Sequence, residues 1–585
     1  MRHAKKLVST SVALALAVAA GNANAAIYYT ITDISATAPS GANFGPYPQA
    51  ISPDGSKYSG TFFASNPWLY FLSQASQFNS SDRFSFERGC WLDSGVCDAR
   101  WEPSNVTPNA YAYVWRQGIT GASDIYRYPF TSDNLTAASG NALVTAYSDE
   151  TSPQTAGYTS SRPSNRSAEF NSTALMASFS PGGNSPYSQA NALVNLGSNK
   201  YLVGGTYAFN YGGNPDGTTS ASASYTNCYS GDTSKFNNSY GTSTDSVDLR
   251  YCPGYNTAAA LWLVDNTTPS AVTQSLIGTD TASAGSSYII KTASINGFNY
   301  DTGSSLVYAA GYIASSANDS DDNNGALDGR NKAAFWVFSS TSPSTKSPIP
   351  IGSDPTDDTG SSSNLRNSWA IGVTGEVSGS RYVVGNNQYQ GSSNNNFPTQ
   401  MFTAKVSSSA VVSQNNNPVS INSGEDLVAN AVNPDGLVVG WRDSRETVNT
   451  QVINGSGRKP VAFMYNIQSG GSWYLNDLIC TSSSDCSQHG KYYWITNASD
   501  VDDSGNILAE AKQYNSYDDW ANDINYTTVM IKLTRTMTSD PSGSYVVRNV
   551  PAGSPDLNEG GGSFSWMLGL LLPLALWRRF GKAKK

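Results

Sequence analysis

Histidine is nearly missing from this chain, with 2 among 585 residues. One is His3, in a leader-like stretch, which leaves His489 as the imidazole available to a Ser-His-Asp or Cys-His site. It stands three residues past Cys486, and a surface-loop histidine is the simpler reading. Cys-x-x-Cys, His-Glu-x-x-His, Gly-x-Ser-x-Gly and the phosphate-cradling glycine loop are also missing. Their absence removes the linear signatures of thiolate zinc sites, zincins, elbow-type serine hydrolases and nucleotide binding. Charge is scarce as well: 14% of residues are charged, and Lys+Arg 35 against Asp+Glu 44 gives a net −9. A chain of that sign has no basic surface with which to displace counterions, so nucleic acid is excluded as a partner.

Aromatic and small polar residues are plentiful. Tyr 34, Phe 20 and Trp 13 supply the apolar area that a disordered chain lacks. Together with 52 Gly and much Ser, Thr and Asn, they suit an extracellular all-β protein better than a helical cytosolic enzyme.

The two long apolar runs lie at the ends. Residues 1–25 read as a signal peptide: Arg2, Lys5 and Lys6, then LVSTSVALALAVAA (7–20), then Ala23-Asn24-Ala25, with cleavage between Ala25 and Ala26. An uncleaved anchor is the alternative. At the other end, Phe564–Trp577 is a 14-residue apolar run followed by Arg578, Arg579, Lys582, Lys584 and Lys585. At about 1.5 Å per residue it covers roughly 21 Å of a ~30 Å hydrocarbon core, and its basic flank prefers the cytoplasmic side. Gly560, Gly561 and Gly562 precede it. This tail resembles the GlyGly-CTERM sorting signals of Gram-negative bacteria. The resemblance implies cutting near Gly560–Gly562 by a rhomboid-type sortase, after signal peptidase has removed the leader, and then surface attachment or release. A tail anchor that stays uncut is the alternative. The organisation expected is a signal peptide at 1–25, a β-repeat body at 26–550, a Gly-rich stalk at 551–562 and a sorting or transmembrane tail at 563–585.

Six cysteines fall as local pairs, Cys90/Cys97, Cys228/Cys252 and Cys480/Cys486. Fifteen pairings are open to six cysteines, but proximity and an oxidising compartment favour these three as disulfides, each stapling an insertion rather than the core.

The body repeats. VANAVNPDGLVVGWRD (428–443) holds a short apolar stretch, an Asn-Pro-Asp-Gly turn and a β-branched run ending in Gly, followed by VAFMYNI (461–467) and SWYLNDLI (472–479). Such a unit is a tight hairpin and two further strands. The pattern recurs at 49–63, 141–161, 191–207, 292–313, 368–388 and 497–513, with later strands at YAYVWRQG (111–118), TALMASFS (173–180), 259–265, 333–339, 400–406 and 528–534. Seven copies of a four-strand unit, none able to bury its own faces, predict a seven-bladed β-propeller with long polar insertions. An open β-repeat stack or two β domains are the alternatives. IYYTITDI (27–34) is expected to close the ring by pairing with the last blade near YVVRNV (545–550), and Trp115, Trp262 and Trp336 fall at matching core positions. The pattern Ala-φ-Asn-x-x-Gly-x-φ-φ-Gly resembles the HAF repeats of extracellular proteins. With both ends, the whole chain resembles an uncharacterised family of exported bacterial proteins with this repeat. That resemblance implies location, not activity.

No catalytic residue can be assigned. Asp319-Ser-Asp321-Asp322-Asn323-Asn324-Gly325 resembles a calcium loop, but its Gly comes one position late and Arg330 stands where the closing Glu belongs. Asp500, Asp502 and Asp503 fit the repeat's hairpin turn without metal. No cofactor is expected, with calcium as a side hypothesis. The insertion aromatics Trp68, Trp91, Trp101, Tyr229 and Tyr240 are available to stack on sugars or anchor a partner. The expectation is a non-catalytic protein that binds a glycan, envelope component or protein, exported to the surface or medium. The alternative is an extracellular hydrolase with carboxylates in a central channel.

Overall fold

A computed structural model describes residues 27–42, 44–63, 127–138, 140–162, 165–179, 183–185, 188–211, 255–268, 271–278, 293–314, 331–344, 346–355, 364–389, 398–419, 426–443, 460–480 and 486–541. The protein is all-β, in small antiparallel units that follow one another along the chain. Sheet I is Phe44–Ile51, Tyr58–Phe63 and Arg127–Thr131; sheet II is Leu143–Tyr147, Thr155–Arg162, Asn165–Phe170 and Thr173–Ala174. Sheet III is Ser188–Gly197, Lys200–Tyr211, Tyr255–Thr268 and Ala271–Gly278; sheet IV is Ser294–Asp301, Leu306–Ala314, Asn331–Ser339 and Ile349–Pro350. Sheet V (Leu365–Val373, Arg381–Tyr389, Thr399–Val406, Val411–Asn415) joins sheet VI (Leu427–Val432, Leu437–Asp443, Pro460–Asn466, Ser472–Tyr474) through one parallel pair, Gln400↔Leu427. Sheet VII is Ser487–Gln488, Lys491–Val501, Ile507–Tyr514 and Thr527–Arg535, and its far edge is Tyr29–Asp33 from the other end of the chain.

Each unit opens on the hairpin that the repeat announces. In sheet VI, Asn433 accepts from Leu437 N at 2.9 Å, and Gly436 takes φ +84° to turn the chain. Four residues on, Gly440 lies opposite Ala429, and the first strand bulges at Asn430. The bulge drives the Val428 carbonyl to 1.9 Å from where a Cβ on residue 440 would stand. A Cβ on Gly157, Gly205 or Gly311 would meet the equivalent carbonyl, of Leu143, Gln189 or Ser294, at 2.0, 1.9 and 1.9 Å. The repeat glycine is therefore the price of the bulge. Sheet VII carries Ala509 there, and its ladder slips twice, between Ile495/Asn497 and Ala498/Asp500.

The core is divided into layers between consecutive sheets. Trp262 packs in the layer between II and III, and Trp336 in the layer between III and IV, both fully buried. Further layers join IV to V, V to VI and VI to VII. Leu508 and Met530 of sheet VII pack on Ile51, Phe62 and Phe130 of sheet I, and Ala50 of sheet I on Val144 and Tyr147 of sheet II. Every sheet thus buries both faces.

The amino-terminal strand pairs with the last sheet, as its pattern predicts, but its partner is Thr527–Arg535, in register Tyr29↔Arg535 to Asp33↔Ile531. YVVRNV (545–550) lies outside the described residues. In sheet II the third strand is Asn165–Phe170, not TALMASFS, of which only Thr173–Ala174 is a strand; the tight turn at Asn171 and Ser172, both at positive φ, ends the pairing early. YAYVWRQG and Trp115 lie outside the described residues, where the third strand of sheet I is Arg127–Thr131.

Cys480 and Cys486 form the disulfide expected of them. They do not staple a surface insertion: they are 1% and 4% exposed and belong to the layer between VI and VII. Just beyond, Gln488 accepts from Ile31 N at 2.8 Å and donates to Tyr29 O at 2.9 Å, covering the open edge of the closing strand. His489 sits exposed at φ +54°, its Nε2 3.2 Å from Ile31 O. The other four cysteines, the glycines of the tail, the Ala25/Ala26 junction, the insertion aromatics and the Asp319 loop lie outside the described residues. Among the described residues no helix is long and apolar enough to cross a membrane.

Candidate functional site

The first strand of each sheet contributes to one cavity of about 290 Å³. Its wall includes Gln49, Thr145, Asn191, Asn296, Ile371, Asn430 and Ser499. These are the seven bulge residues, one per sheet, left unpaired by register shifts at the same place in each first strand. The residues after them are Ala50, Ala146, Ala192, Gly297, Gly372 and Ala431, and in sheet VII Asp500. Small residues are needed because the next first strand presses against them. A Cβ on Gly297 would stand 2.5 Å from Ile371 O of sheet V, and one on Gly372 2.8 Å from Val432 of sheet VI.

The polar bulge side chains tie each sheet to the next. Thr145 Oγ1 donates to Ala190 O at 2.7 Å, Asn191 Nδ2 to Ile295 O at 3.2 Å, Asn296 Nδ2 to Ala370 O at 2.9 Å and Asn430 Nδ2 to Ala498 O at 2.8 Å. Where sheet V has Ile371, Asn386 takes over and donates to Ala429 O at 2.9 Å; Ser59 does the same from sheet I to Val144 O at 2.7 Å. Between sheets VII and I the polarity reverses: Ile51 N donates to Asp500 Oδ2 at 2.9 Å. The chain of bonds runs through all seven sheets and returns to the first.

Asp500 was expected in the hairpin turn with Asp502 and Asp503. It stands instead on the strand, directly after the bulge residue Ser499, at the place Ala431 holds in sheet VI two residues before the turn. Asp502 and Asp503 do sit in the turn, where Asp502 accepts from Asn506 N and Nδ2, both at 2.7 Å. Burial pushes the Asp500 carboxyl up to about 7, although Ile51 N and Val501 N both donate to it. Burial, then the charges of Asp502, Asp149 and Asp435, pushes Asp503 up to about 6. Glu510, on the same sheet, is pushed by burial up to about 7. Asp500 and Asp503 are the only charged residues in the described wall, which also carries Tyr147, Phe298, Trp369 and Trp441. Among the described residues no three His, Cys, Asp or Glu side chains converge as metal ligands.

The raised carboxyls bear on stability. An acid whose pKa is higher in the folded state than its ordinary 3.8 holds its proton more tightly when folded, so stability falls as pH rises from about 4 to about 7. The slope is about 1.4 kcal/mol per pH unit for each such group inside its window. Asp500→Asn is expected to flatten the pH dependence of the thermal midpoint between pH 5 and 7.5 relative to the wild type. An unchanged slope would contradict the assignment.

Sequence reasoning did not single out the bulge residues, yet a signal was there. In the first strands a polar residue precedes Ala or Gly: Gln49-Ala50, Thr145-Ala146, Asn191-Ala192, Asn296-Gly297 and Asn430-Ala431.

Among the described residues these features define an all-β protein of small sheets, set consecutively along the chain, whose first strands enclose a largely neutral, polar cavity with two carboxyls in its wall. The chain belongs to the family described as "Protein of unknown function (DUF3466)", matched over residues 181–580. No curated protein matches it. Among solved structures it is similar to a protein of unknown function from Dyadobacter fermentans DSM 18053, at 8% identity and a TM-score of 0.36, over 87% of this chain and 99% of that one. It is also similar to two mutants of B. megaterium levansucrase. The first shows 11% identity and a TM-score of 0.28 over 64% of this chain and 88% of that one. The second shows 10% and 0.26 over 62% and 86%.

Proposed function

We propose that this is an exported, non-catalytic binding protein whose seven sheets are the blades of a β-propeller, with a ligand site in the cavity at their centre. The propeller reading is supported by the side-chain bonds that run from sheet to sheet and return to the first, and by a last sheet completed from the other end of the chain. The observation that carries the binding reading is the wall itself. All seven sheets contribute neutral or aromatic groups, while both carboxyls come from one sheet. A glycosidase places two acids on opposite sides of the scissile bond; here both oxygens of Asp500 already accept backbone N–H groups.

A second reading, an extracellular hydrolase working through Asp500 and Asp503, is favoured by their raised pKa values. Calorimetric titration of residues 26–562 with soluble glycans and envelope fragments, alongside product analysis, tests the two. The binding reading expects saturable heat without turnover and an affinity changed by Asp503→Asn. Turnover abolished by Asp503→Asn would replace it with the hydrolase; no heat with any ligand would sink both.

Export belongs to the same proposal: signal peptidase cuts between Ala25 and Ala26, and a rhomboid-type sortase cuts near Gly560–Gly562 in a GlyGly-CTERM tail. The HAF-type repeat and two further disulfides, Cys90–Cys97 and Cys228–Cys252, suit that destination. Intact mass of the native protein tests it, since retention of Lys585 in an inner-membrane fraction would refute sorting.

A further inference from the structure

Large exposed apolar side chains are few among the described residues, and half of them fall on one short excursion. Tyr517, Ile524 and Tyr526 are 42%, 49% and 45% exposed, whereas Leu135, Met176 and Val412 are scattered singly. Scattered exposure needs no explanation; a cluster does. The excursion joins the strands Ile507–Tyr514 and Thr527–Arg535 of sheet VII through the helix Tyr517–Asn522.

The exposed rings are held from beneath. Tyr517 stands edge-on to Tyr492 at 5.8 Å and lies 5.7 Å from Trp520, whose Nε1 donates to Tyr493 O at 3.2 Å. Tyr526 rests 5.9 Å from Tyr514, with Lys512 Nζ 4.2 Å from its ring centre. Lys512 also bonds both oxygens of Asp523 at 3.0 Å, which fixes the turn that leaves the helix. Rings positioned this way lose little freedom on binding.

We propose that this excursion is a carbohydrate-stacking platform, taking a neutral polysaccharide across the outer faces of Tyr517 and Tyr526. A sugar ring has an apolar C–H face edged by hydroxyls, and the surface has the matching alternation. Its aromatic faces are interleaved with exposed Asn515, Asp518, Asn522 and Asn525. Ile524 is the one exposed aliphatic in the patch, too little for the dry apolar centre that a protein partner requires. Lys512 is paired with Asp523, and Asp518 and Asp519 outnumber the one remaining cation, Lys491, which donates to Asn515. That sign disfavours nucleic acid, acidic polysaccharides and anionic lipid. The platform is separate from the cavity: Tyr492 and Val501 lie at opposite ends of one strand, about 30 Å apart at the rise of an extended chain.

Affinity electrophoresis of the protein in native gels cast with dextran, laminarin, glucomannan or hydroxyethylcellulose tests this. At least one is expected to retard the wild type. Y517A/Y526A should weaken that binding about tenfold or more, and Y517F/Y526F, which keeps both rings, should retain it. Tyr526→Ser alone serves if the double alanine variant does not fold. Met176→Ala, which removes a singly exposed apolar side chain of sheet II outside both the cavity wall and the excursion, should leave the retardation unchanged. The proposal is overturned if none of the four retards the wild type, if the tyrosine variants bind equally well, or if only Asp503→Asn abolishes binding. The last result would leave the cavity reading standing without the platform.

Discussion

Deleting residues 27–34 is expected to abolish the cooperative thermal transition at 25 °C, or to lower its midpoint by more than any single substitution in the molecule. The closing strand buries Tyr28 and Tyr29 completely and leaves Ile31 2% exposed. Three such side chains contribute roughly 6 kcal/mol by transfer bookkeeping, against a total stability of about 5–15 kcal/mol for most domains. The deletion also strips Thr527–Arg535 of its ladder and leaves Gln488, 6% exposed, without Ile31 N or Tyr29 O. Circular dichroism melts read the loss directly. Adding a peptide of residues 27–36 should restore part of the transition, because it supplies the missing edge. A deletion that melts like the full chain would show that the strand is decoration.

Gly311→Ala and Gly440→Ala are each expected to cost about 3 kcal/mol or more, the range of severe overpacking. In both, the new Cβ would lie 1.9 Å from a carbonyl oxygen of the neighbouring strand, on Ser294 or Val428. That oxygen is backbone, held in a bulged ladder, so no rotamer change relieves the clash. Gly303→Ala is the control: its Cβ would meet only the Asp301 side chain, at 3.3 Å, and the change should fall within ~1 kcal/mol. Urea denaturation of the three variants separates the cases. Equal midpoints would mean that the bulge relaxes, and that the repeat glycine is there for some other reason.

The hairpins were legible in the sequence because their chemistry is local. Asn433 and Gly436 fix a turn within a few residues of themselves, and Ser52/Gly55 and Asp502/Gly505 repeat that spacing in the first hairpins of sheets I and VII. The β-branched run at 27–34 also announced a strand without a neighbour, though not which neighbour. The strand pairs with Thr527–Arg535, whereas Tyr545–Val550, the neighbour its pattern suggested, lies outside the described residues. Cysteine spacing gave the Cys480–Cys486 bond, but whether that loop lies on the surface or in the layer between two sheets depends on residues far away in the chain. Asp500 is the clearest failure. Three acids beside a Gly read as one turn, yet the first of them holds the strand place that follows the bulge, where the other sheets carry Ala or Gly, and so enters the joint between sheets VII and I. The cavity was visible only as a consequence of repetition, since no stretch of sequence contains more than one of its seven walls.

The pairing of Tyr28 with the far end has a consequence in time. Its hydroxyl donates to Ser539 O across 511 positions of sequence. At the usual pace of synthesis, about 5–20 residues per second, some 25–100 s separate the appearance of the two. Tyr29–Asp33 is made long before Thr527–Arg535, so it cannot take up its ladder until the far partner has followed. During that interval Tyr28, Tyr29 and Ile31 are exposed on a free edge, the form of chain most prone to join a stranger.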